Sequence, residues 1–315
     1  MKLKNTVVGS FPRIHNSFED SIKECMNIQQ RFGLDILSDG EQRYDMIDYF
    51  HQIPGLNRVK GKLCIEKRIE PISDLEEFIK IKDFKFVKNY LREIGKTNLI
   101  KTSITGPITL GTICAMNGVG IYYKNIKDPR IYEDFCGALG PIIIKLLGLG
   151  SLVQIDEPGL SGGFIRPNTG RKIINELIKN SVNKESWMNN LSVHACGNLY
   201  KIKSLFNELL KIDVKTLSLA FSSKQEMENL NLLSKKEIKK YNKMIGVGCA
   251  NIQLASLKEV DDIQTIIDRL RKILKLVGIE NIAYVHPDCG LRNSSIEITL
   301  QILRNIKKSL KSLTF

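Results

Sequence analysis

Three side chains in two separate segments of the sequence have the types and spacing of metal ligands. His194 and Cys196 stand two residues apart in SVHACGNLY, and Cys289 follows in AYVHPDCGLRN. Side chains two residues apart on a β-strand point to the same side, so His194 and Cys196 can face one ion. Imidazole nitrogen and thiolate sulfur are zinc ligands, and three protein ligands leave one tetrahedral position open. The pattern predicts a zinc site, and the alternative is a histidine and two cysteines buried as packing residues.

An open position on such a zinc ion has a specific chemical use. A substrate thiol bound there is held as thiolate at neutral pH, well below its free pKa of about 8.5. The thiolate is the nucleophile that alkyl transfer to sulfur requires. The three residues therefore point to alkylation of a small thiol.

Four further residues have the types that bind an amino acid. Asp156 in QIDEP and Glu41 in SDGEQRYDM can each pair with a substrate ammonium group. Gly9 and Ser10, in VVGSFPR, offer backbone N–H groups and a hydroxyl to a carboxylate. Asp156 and Glu157 are adjacent on a strand, so at most one of them enters the site. The alternative for each carboxylate is a helix cap or a loop ion pair.

The candidate residues lie at the ends of apolar segments that have the composition of buried strands. Most of these segments end in a turn-forming residue. The predicted strands cover residues 5–10, 34–40, 98–106, 151–158, 191–197, 214–220, 244–250 and 281–288. Segments with helical periodicity lie between them and include residues 17–33, 200–212, 234–243, 256–278 and 294–310.

Eight apolar strands separated by helices predict an α/β fold, a (β/α)8 TIM barrel with its active site at the C-terminal ends of the strands. A doubly wound open sheet is the alternative, but no G-x-G-x-x-G motif follows the first strand. Residues 58–71 alternate polar and apolar around KGK, which predicts a β-hairpin. We expect one catalytic domain over residues 1–315, with an insertion at about 50–97, after strand 2 and over the barrel mouth.

Composition restricts the compartment and the partners. No apolar run of signal-peptide length opens the sequence, and none approaches the roughly 20 residues that span a bilayer, so a cytoplasmic protein is expected. Seven cysteines at irregular spacing favour reduced thiols over a disulfide framework. The net charge of +13 is spread along the chain without a nucleic-acid-binding motif, so neither nucleic acid nor membrane is an expected partner.

Six segments, in this order, resemble the catalytic barrel of cobalamin-independent methionine synthase. They are VGSFPR, DGEQRYDMIDYF, SITGPITLG, VQIDEP, HACG and HPDCGL, and they span residues 7–291. The chain looks like the short, single-barrel form of that family, which corresponds to the C-terminal catalytic domain of the long form. The resemblance implies that the sulfur of homocysteine attacks the methyl group of a donor and that methionine is formed.

The resemblance also implies roles for the seven candidate residues, while the catalytic acid or base stays unknown. Zinc would be held by His194, Cys196 and Cys289, the homocysteine carboxylate by Gly9 and Ser10, and its amine by Glu41 and Asp156. The donor implied is a methyl-corrinoid protein or methyl-folate. A basic surface suits docking of an acidic partner.

The sequence departs from the family pattern at three points. The family has a glutamate as a further zinc ligand where this sequence has Ala220. Cys249, at the next strand end, is the candidate replacement, and a substrate thiol or water is the alternative. Near Asn251 the long form has a proton-donating histidine, which is absent here. After QIDEP, the segment GLSGG lacks the acidic residue that contacts folate in the long form, so a corrinoid donor is favoured.

Other functions stay open at this point. One is a methyltransferase or lyase that acts on another small thiol, such as coenzyme M. Another is a degenerate, non-catalytic relative that binds zinc or a ligand. A zinc-free barrel related to uroporphyrinogen decarboxylase is disfavoured by the H-x-C motif and by Cys289.

Overall fold

The computed structural model of the protein describes residues 3–182 and 185–313. The strands are β1 (Ile36–Leu37), β2 (Leu56–Val59), β3 (Lys62–Ile65), β4 (Leu99–Thr105), β5 (Leu152–Asp156), β6 (Leu191–Ala195), β7 (Thr216–Ala220), β8 (Met244–Ala250) and β9 (Ile282–Pro287). The α-helices are α1 (Phe18–Arg31), α2 (Ile79–Glu93), α3 (Pro107–Asn117), α4 (Pro129–Gly148), α5 (Pro158–Ser161), α6 (Pro167–Ser181), α7 (Leu205–Leu209), α8 (Lys235–Lys240), α9 (Ile263–Val277) and α10 (Ile296–Ser312). Short 3₁₀ helices cover Asp48–Phe50, Leu75–Glu77, Glu185–Asn190, Glu226–Leu232, Leu257–Glu259 and Ile279–Asn281.

Parallel strands form one curved sheet in the order β1–β4–β5–β6–β7–β8–β9. The segment that precedes α1 lies between the two edges of this sheet. Thr6 N–H donates to the carbonyl of Val285 in β9 at 2.9 Å, and Ile36 N–H in β1 donates to the carbonyl of Asn5 at 3.2 Å. This segment therefore occupies the eighth strand position and closes the barrel. The predicted (β/α)8 fold is confirmed.

The predicted strand at 34–40 is short in the structure. β1 keeps two residues, because the chain turns at Gly40 and Glu41, whose φ angles are 72° and 51°. The Gln29 side chain in α1 accepts a hydrogen bond from Ser38 N–H at 2.9 Å and donates one to the Ser38 carbonyl at 2.7 Å. The helix layer thus fixes the turn that carries Glu41.

Helix boundaries differ from the sequence expectation where caps intervene. Within 200–212 only α7 is helical, because Ser204 before it has a left-handed φ of 67°. Within 256–278 the long helix α9 begins after Asp262, whose side chain accepts a hydrogen bond from Thr265 N–H at 2.7 Å. Among the described residues, no helix combines the length and the apolar composition that a bilayer crossing requires.

The predicted β-hairpin forms, but it spans residues 56–65 and so begins two residues before the predicted segment 58–71. β2 and β3 pair antiparallel, and the turn residues Lys60 and Gly61 both have positive φ, at 48° and 79°. Positive φ at both positions is the geometry of a two-residue type I′ turn. The hairpin joins the barrel where Ile65 N–H donates to the carbonyl of Gly118, after α3, at 2.8 Å. α2 follows the hairpin and connects it to β4, so the second half of 50–97 supplies a crossover helix.

The two sides of the barrel strands have different chemistry. Ile155, Val193 and Leu217 are fully buried beneath the helices, and each such side chain contributes roughly 1.5–3 kcal/mol of transfer free energy. Alternate residues point into the barrel, where Gln154 and Ser192 form a register pair. The apolar core lies between the strands and the surrounding helices. The inside of the barrel can therefore hold polar side chains, which can position the residues of a site.

Candidate active site

A cavity of about 310 Å³ lies at the C-terminal ends of the barrel strands. The seven residues singled out from the sequence all line it: Gly9, Ser10, Glu41, Asp156, His194, Cys196 and Cys289. Its other lining residues are Val8, Asp45, Met46, Pro158, Gly290, Arg292 and Asn293. A larger depression of about 520 Å³ lies at the N-terminal end of β4 and contains none of the seven.

The potential metal ligands form a compact group. The ligand atoms of His194, Cys196 and Cys289 all lie within 4.8 Å of one another. His194 is in β6, Cys196 follows it at the turn made by Gly197, whose φ is 89°, and Cys289 follows β9. Among the described residues, these three side chains form the group of His, Cys, Asp or Glu that could share one metal ion.

The surroundings of this group suit a cation. His194 Nε2 is buried and has no hydrogen-bond partner among the described residues. A buried polar atom without a partner is uncommon and calls for a ligand. The neighbouring Cys196 thiol and burial raise the pKa of the Cys289 thiol well above its usual range. A cation beside Cys289 would favour its thiolate, and one nitrogen with two sulfurs is a donor set that zinc accepts.

Neither Ala220 nor Cys249 adds a ligand. Ala220 ends β7 on the same side as Ser218, is fully buried and has no donor atom. Cys249 neighbours Gly248 on β8 and therefore faces the opposite side, where it joins the apolar core. Its carbonyl accepts a hydrogen bond from Arg269 of α9 at 2.6 Å. The expectation that Cys249 replaces the missing glutamate is wrong, because strand alternation directs its thiol towards the helices.

Gly9 and Glu41 lie side by side at the first strand ends. A Cβ atom at Gly9 would stand 2.6 Å from Ser103 Oγ and 3.6 Å from Glu41 Oε2, so any other residue there would displace the Ser103 side chain. Burial raises the pKa of Glu41, and the buried Lys80 ammonium opposes this shift with an ion pair of 2.6 Å to Oε1. One carboxylate oxygen of Glu41 is therefore committed to Lys80. Lys80 could have been found from the sequence, because it stands three residues before Asp83 and therefore on the same, buried face of α2. Two charged residues on a buried helix face indicate that they have polar partners.

A hydrogen-bonded chain inside the barrel orients Asp156. Lys101 Nζ donates to Gln154 Oε1 at 2.8 Å, and Gln154 Nε2 donates to Asp156 Oδ1 at 2.7 Å. Burial raises the pKa of Asp156, and burial lowers the pKa of Lys101 to about 7. Sequence reasoning missed Lys101 and Gln154, although each is a polar residue at an inward position of an apolar strand.

Glu157 faces away from the cavity, as the alternation along a strand requires. Its carboxylate accepts hydrogen bonds from Ile108 N–H at 2.9 Å, Thr109 N–H at 2.9 Å and Thr109 Oγ at 2.7 Å. It therefore stabilises the N-terminus of α3, where the helix dipole favours negative charge. Burial raises the pKa of Glu157 to about 7. Of the two adjacent carboxylates, Asp156 is the one that enters the cavity.

We expect the Glu157→Gln variant to be less stable than the wild type by about 1–3 kcal/mol, because glutamine turns an amide donor towards a buried N–H donor. The free energy of unfolding would be measured in urea at pH 8, where Glu157 is ionised in both states. The control is Glu133→Gln, at an exposed position of α4, which should change stability by less than about 0.5 kcal/mol. Equal unfolding curves for the two variants would show that the helix cap contributes nothing.

The sequence matches one enzyme family along nearly its whole length. Residues 5–311 match the family model described as "Cobalamin-independent synthase, Catalytic domain". The methionine synthase of Methanothermobacter marburgensis is 30% identical over 306 residues, which cover 96% of this chain and 92% of the relative. The methionine synthase of Methanocaldococcus jannaschii is 28% identical over 330 residues, which cover 97% of this chain and 98% of the relative.

Solved structures have the same fold. A B12-independent methionine synthase from a Shewanella species, in complex with selenomethionine, gives a TM-score of 0.75 at 20% identity and covers 99% of this chain and 97% of that chain. A putative vitamin-B12-independent methionine synthase from Listeria monocytogenes gives 0.75 at 19% identity and covers 100% of both chains. These identities support the fold alone. The sequence match over residues 5–311 shows that the chain belongs to the catalytic-domain family of the cobalamin-independent methionine synthases, a family of enzymes.

Proposed function

We propose that this protein transfers a methyl group to the thiol of homocysteine and forms methionine, with zinc as its metal. The observation that carries this proposal is that the zinc-type ligands and the amino-acid-binding residues line one cavity of about 310 Å³. Relatives that share nearly the full length of the chain are named methionine synthase. The metal-type ligands indicate a thiol substrate, and the two carboxylates indicate an ammonium group. Only their combination in one cavity indicates an amino-acid thiol.

The chain's own residues account for binding and orientation of the substrate. His194, Cys196 and Cys289 would hold the zinc ion, and its charge would keep a substrate thiol ionised at neutral pH. Asp156 and the free oxygen of Glu41 bind the substrate ammonium group. The backbone N–H groups near Gly9 and the Ser10 hydroxyl bind its carboxylate.

The reaction is a displacement at carbon. The thiol proton is released to solvent when the substrate binds, and the sulfur lone pair then forms the bond to the methyl carbon. The electron pair of the breaking bond stays with the donor. Fixing the amino-acid end of homocysteine aligns the sulfur with the methyl carbon, which lowers the entropic part of the barrier.

For the methyl donor we favour a corrinoid protein over methyl-folate. Each of the loops that follow β5, β6, β7 and β8 presents a large apolar side chain that is 43–52% exposed: Phe164, Tyr200, Met227 and Leu257. The same loops carry exposed basic side chains, among them Arg166, Lys201, Lys224 and Lys258. These apolar side chains lie on loops at the C-terminal ends of the strands, the face on which the cavity opens. They offer contacts to a partner protein, and the basic groups suit an acidic one.

A direct comparison of donors tests this proposal. Homocysteine would be supplied with a methylated corrinoid protein or with methyl-folate, and methionine would be measured. We expect methionine from the corrinoid protein and less than about a tenth of that rate from methyl-folate, because the corrinoid protein can use the exposed surface. Equal or faster turnover with methyl-folate would contradict the donor assignment while leaving homocysteine as the acceptor.

The same assay separates the remaining alternatives. The carboxylates of Glu41 and Asp156 in the cavity favour an amino-acid thiol over the sulfonate thiol coenzyme M. Competition by methionine but not by the sulfonate thiol is expected. Bound zinc without methyl transfer from either donor would instead support a non-catalytic relative.

A further inference from the structure

A buried hydrogen-bonded chain leads away from the proposed zinc ligand His194. Its Nδ1 atom lies 3.0 Å from Ser218 Oγ. Ser218 Oγ lies 2.9 Å from His286 Nε2, and His286 Nδ1 lies 2.6 Å from the carbonyl oxygen of Pro287. Ser218 and His286 are fully buried, and His194 is 2% exposed. The three side chains of this hydrogen-bonded chain are therefore buried away from bulk solvent.

The last acceptor sets the direction of every hydrogen bond in the chain. A carbonyl oxygen only accepts, so His286 Nδ1 carries the proton. With a neutral ring, His286 Nε2 then accepts from the Ser218 hydroxyl. The Ser218 oxygen in turn accepts from His194 Nδ1–H, which leaves His194 Nε2 with a lone pair. If His286 were charged, its Nε2–H would donate to the Ser218 oxygen and the Ser218 hydroxyl could then donate to His194 Nδ1. In that arrangement His194 Nε2 would carry an unpartnered N–H, a buried donor whose burial costs about 1–3 kcal/mol.

The sequence of β8 makes this hydrogen-bonded chain of side chains possible. Ser218 is in β7 and His286 is in β9, on either side of β8. The β8 residues in register with them, Gly246 and Gly248, have no side chains. A Cβ atom at Gly246 would stand 2.5 Å from Tyr284 Cε2 and 3.2 Å from Ser218 Cα. The GVG segment therefore lets a side chain of β7 reach one of β9 across the strand between them.

We propose that Ser218 and His286 are positioning residues that hold His194 in the tautomer with a bare Nε2, aimed at the two cysteines. This inference rests on the proposed function, because the purpose of a bare Nε2 is to bind the metal. His194 Nε2 is one of the buried side-chain atoms that have no hydrogen-bond partner among the described residues, and it belongs to the group with Cys196 and Cys289. Hydrogen-bond partners of metal-bound histidines typically change metal affinity by about 10–100-fold when they are removed.

The tautomer itself can be observed without metal or turnover. The chain has four histidines, so ring nitrogen signals of ¹⁵N-labelled protein can be assigned with single His→Gln variants. We expect a protonated Nδ1 and a bare Nε2 for both His194 and His286 in the metal-free wild type. Ser218→Ala should move the His194 signals towards an average of the two tautomers. A protonated Nε2 on His194 in the wild type would overturn the proposal.

Zinc affinity gives the second readout, by competition with a chromophoric chelator at pH 7.5. Ser218→Ala should weaken zinc binding by about 10–100-fold, and Ser218→Thr, which keeps a hydroxyl, should restore most of it. The control Ser192→Ala removes an inward hydroxyl of β6 that donates to the carbonyl of Val153 at 3.4 Å, and it should leave zinc affinity unchanged.

The two proposals fail in different ways. Unchanged zinc affinity in Ser218→Ala would overturn the role of Ser218 even if zinc binds. A wild type with the expected tautomers that binds no zinc would overturn the proposed function and, with it, the metal-directed purpose of the tautomer. Ser218→Ala and Ser192→Ala each replace an inward serine of a barrel strand with alanine. If their unfolding curves agree, a loss of zinc affinity in Ser218→Ala alone is a local effect and not a folding defect.

Discussion

Replacing Cys196 or Cys289 with serine is expected to abolish stoichiometric zinc binding and methyl transfer together. Each sulfur supplies one of the three ligand atoms that lie within 4.8 Å of one another, and a serine hydroxyl stays protonated at neutral pH and binds zinc poorly. A catalytic metal stabilises the reacting charge by several kcal/mol, which corresponds to a loss of roughly 1000-fold or more in rate. Zinc would be measured by elemental analysis and turnover by methionine formation.

Cys249→Ala is the matched control for these two variants. Cys249 is likewise a cysteine near a strand end, but it is fully buried and its thiol faces the helix layer. This variant should retain one zinc per chain and near-normal turnover of the folded fraction, although removal of a buried sulfur lowers its stability. If Cys196→Ser kept both the metal and full activity, the proposed metal centre would be wrong.

The second large effect is expected from Asp156→Asn and depends on the substrate. Asparagine can still accept the hydrogen bond from Gln154 Nε2, which is 2.7 Å long in the wild type, so the side chain stays in place and loses its charge. A hydrogen bond to a charged group contributes about 1.5–3 kcal/mol, so kcat/KM for homocysteine should fall by roughly 10–100-fold. For a thiol of the same length without the amine, the fall should stay below about threefold, because no ammonium contact is lost.

Steady-state kinetics with both thiols check this prediction, together with zinc analysis to show that the metal is retained. A similar loss with both thiols would remove the amine-binding role of Asp156. Asp156 is the better choice for the test than Glu41, because Lys80 already occupies one oxygen of Glu41 at 2.6 Å. Because the partner of Glu41 is a cation and that of Asp156 is a neutral amide, we expect Asp156 to contribute more to ammonium binding.

The sequence predicted the barrel well because its outer layer depends on local composition. Segments such as 191–197 and 214–220 are apolar and bounded by turn residues, and each contains one strand of the sheet. The metal-type ligands were predictable for a similar reason. The H-x-C spacing matches the alternation of a strand, and Cys289 follows the last strand, so the barrel brings both segments to one mouth.

The supporting residues were not predictable, because their roles depend on register between strands. Lys101 in β4 contacts Gln154 in the neighbouring strand β5, and Ser218 in β7 contacts His286 in β9 across the intervening strand β8. Nothing in the local sequence of any one strand specifies these partners. Cys249 illustrates the opposite error, in which a residue that the sequence suggests for the site does not face it. It stands beside a strand end, but the pairing of β8 with β9 shifts between Gly248 and Ala250, and its thiol faces away from the cavity.

X-ray absorption at the zinc K-edge, with and without homocysteine, reports the ligands of the proposed metal centre. We propose that one zinc ion, bound by His194, Cys196 and Cys289, would accept the substrate sulfur at its open position. Zinc-loaded protein should show two sulfur neighbours at about 2.3 Å, and addition of homocysteine should raise the number to three at the same distance. A sulfur count that stays at two while homocysteine is bound, or a protein that takes up no zinc, would contradict the account.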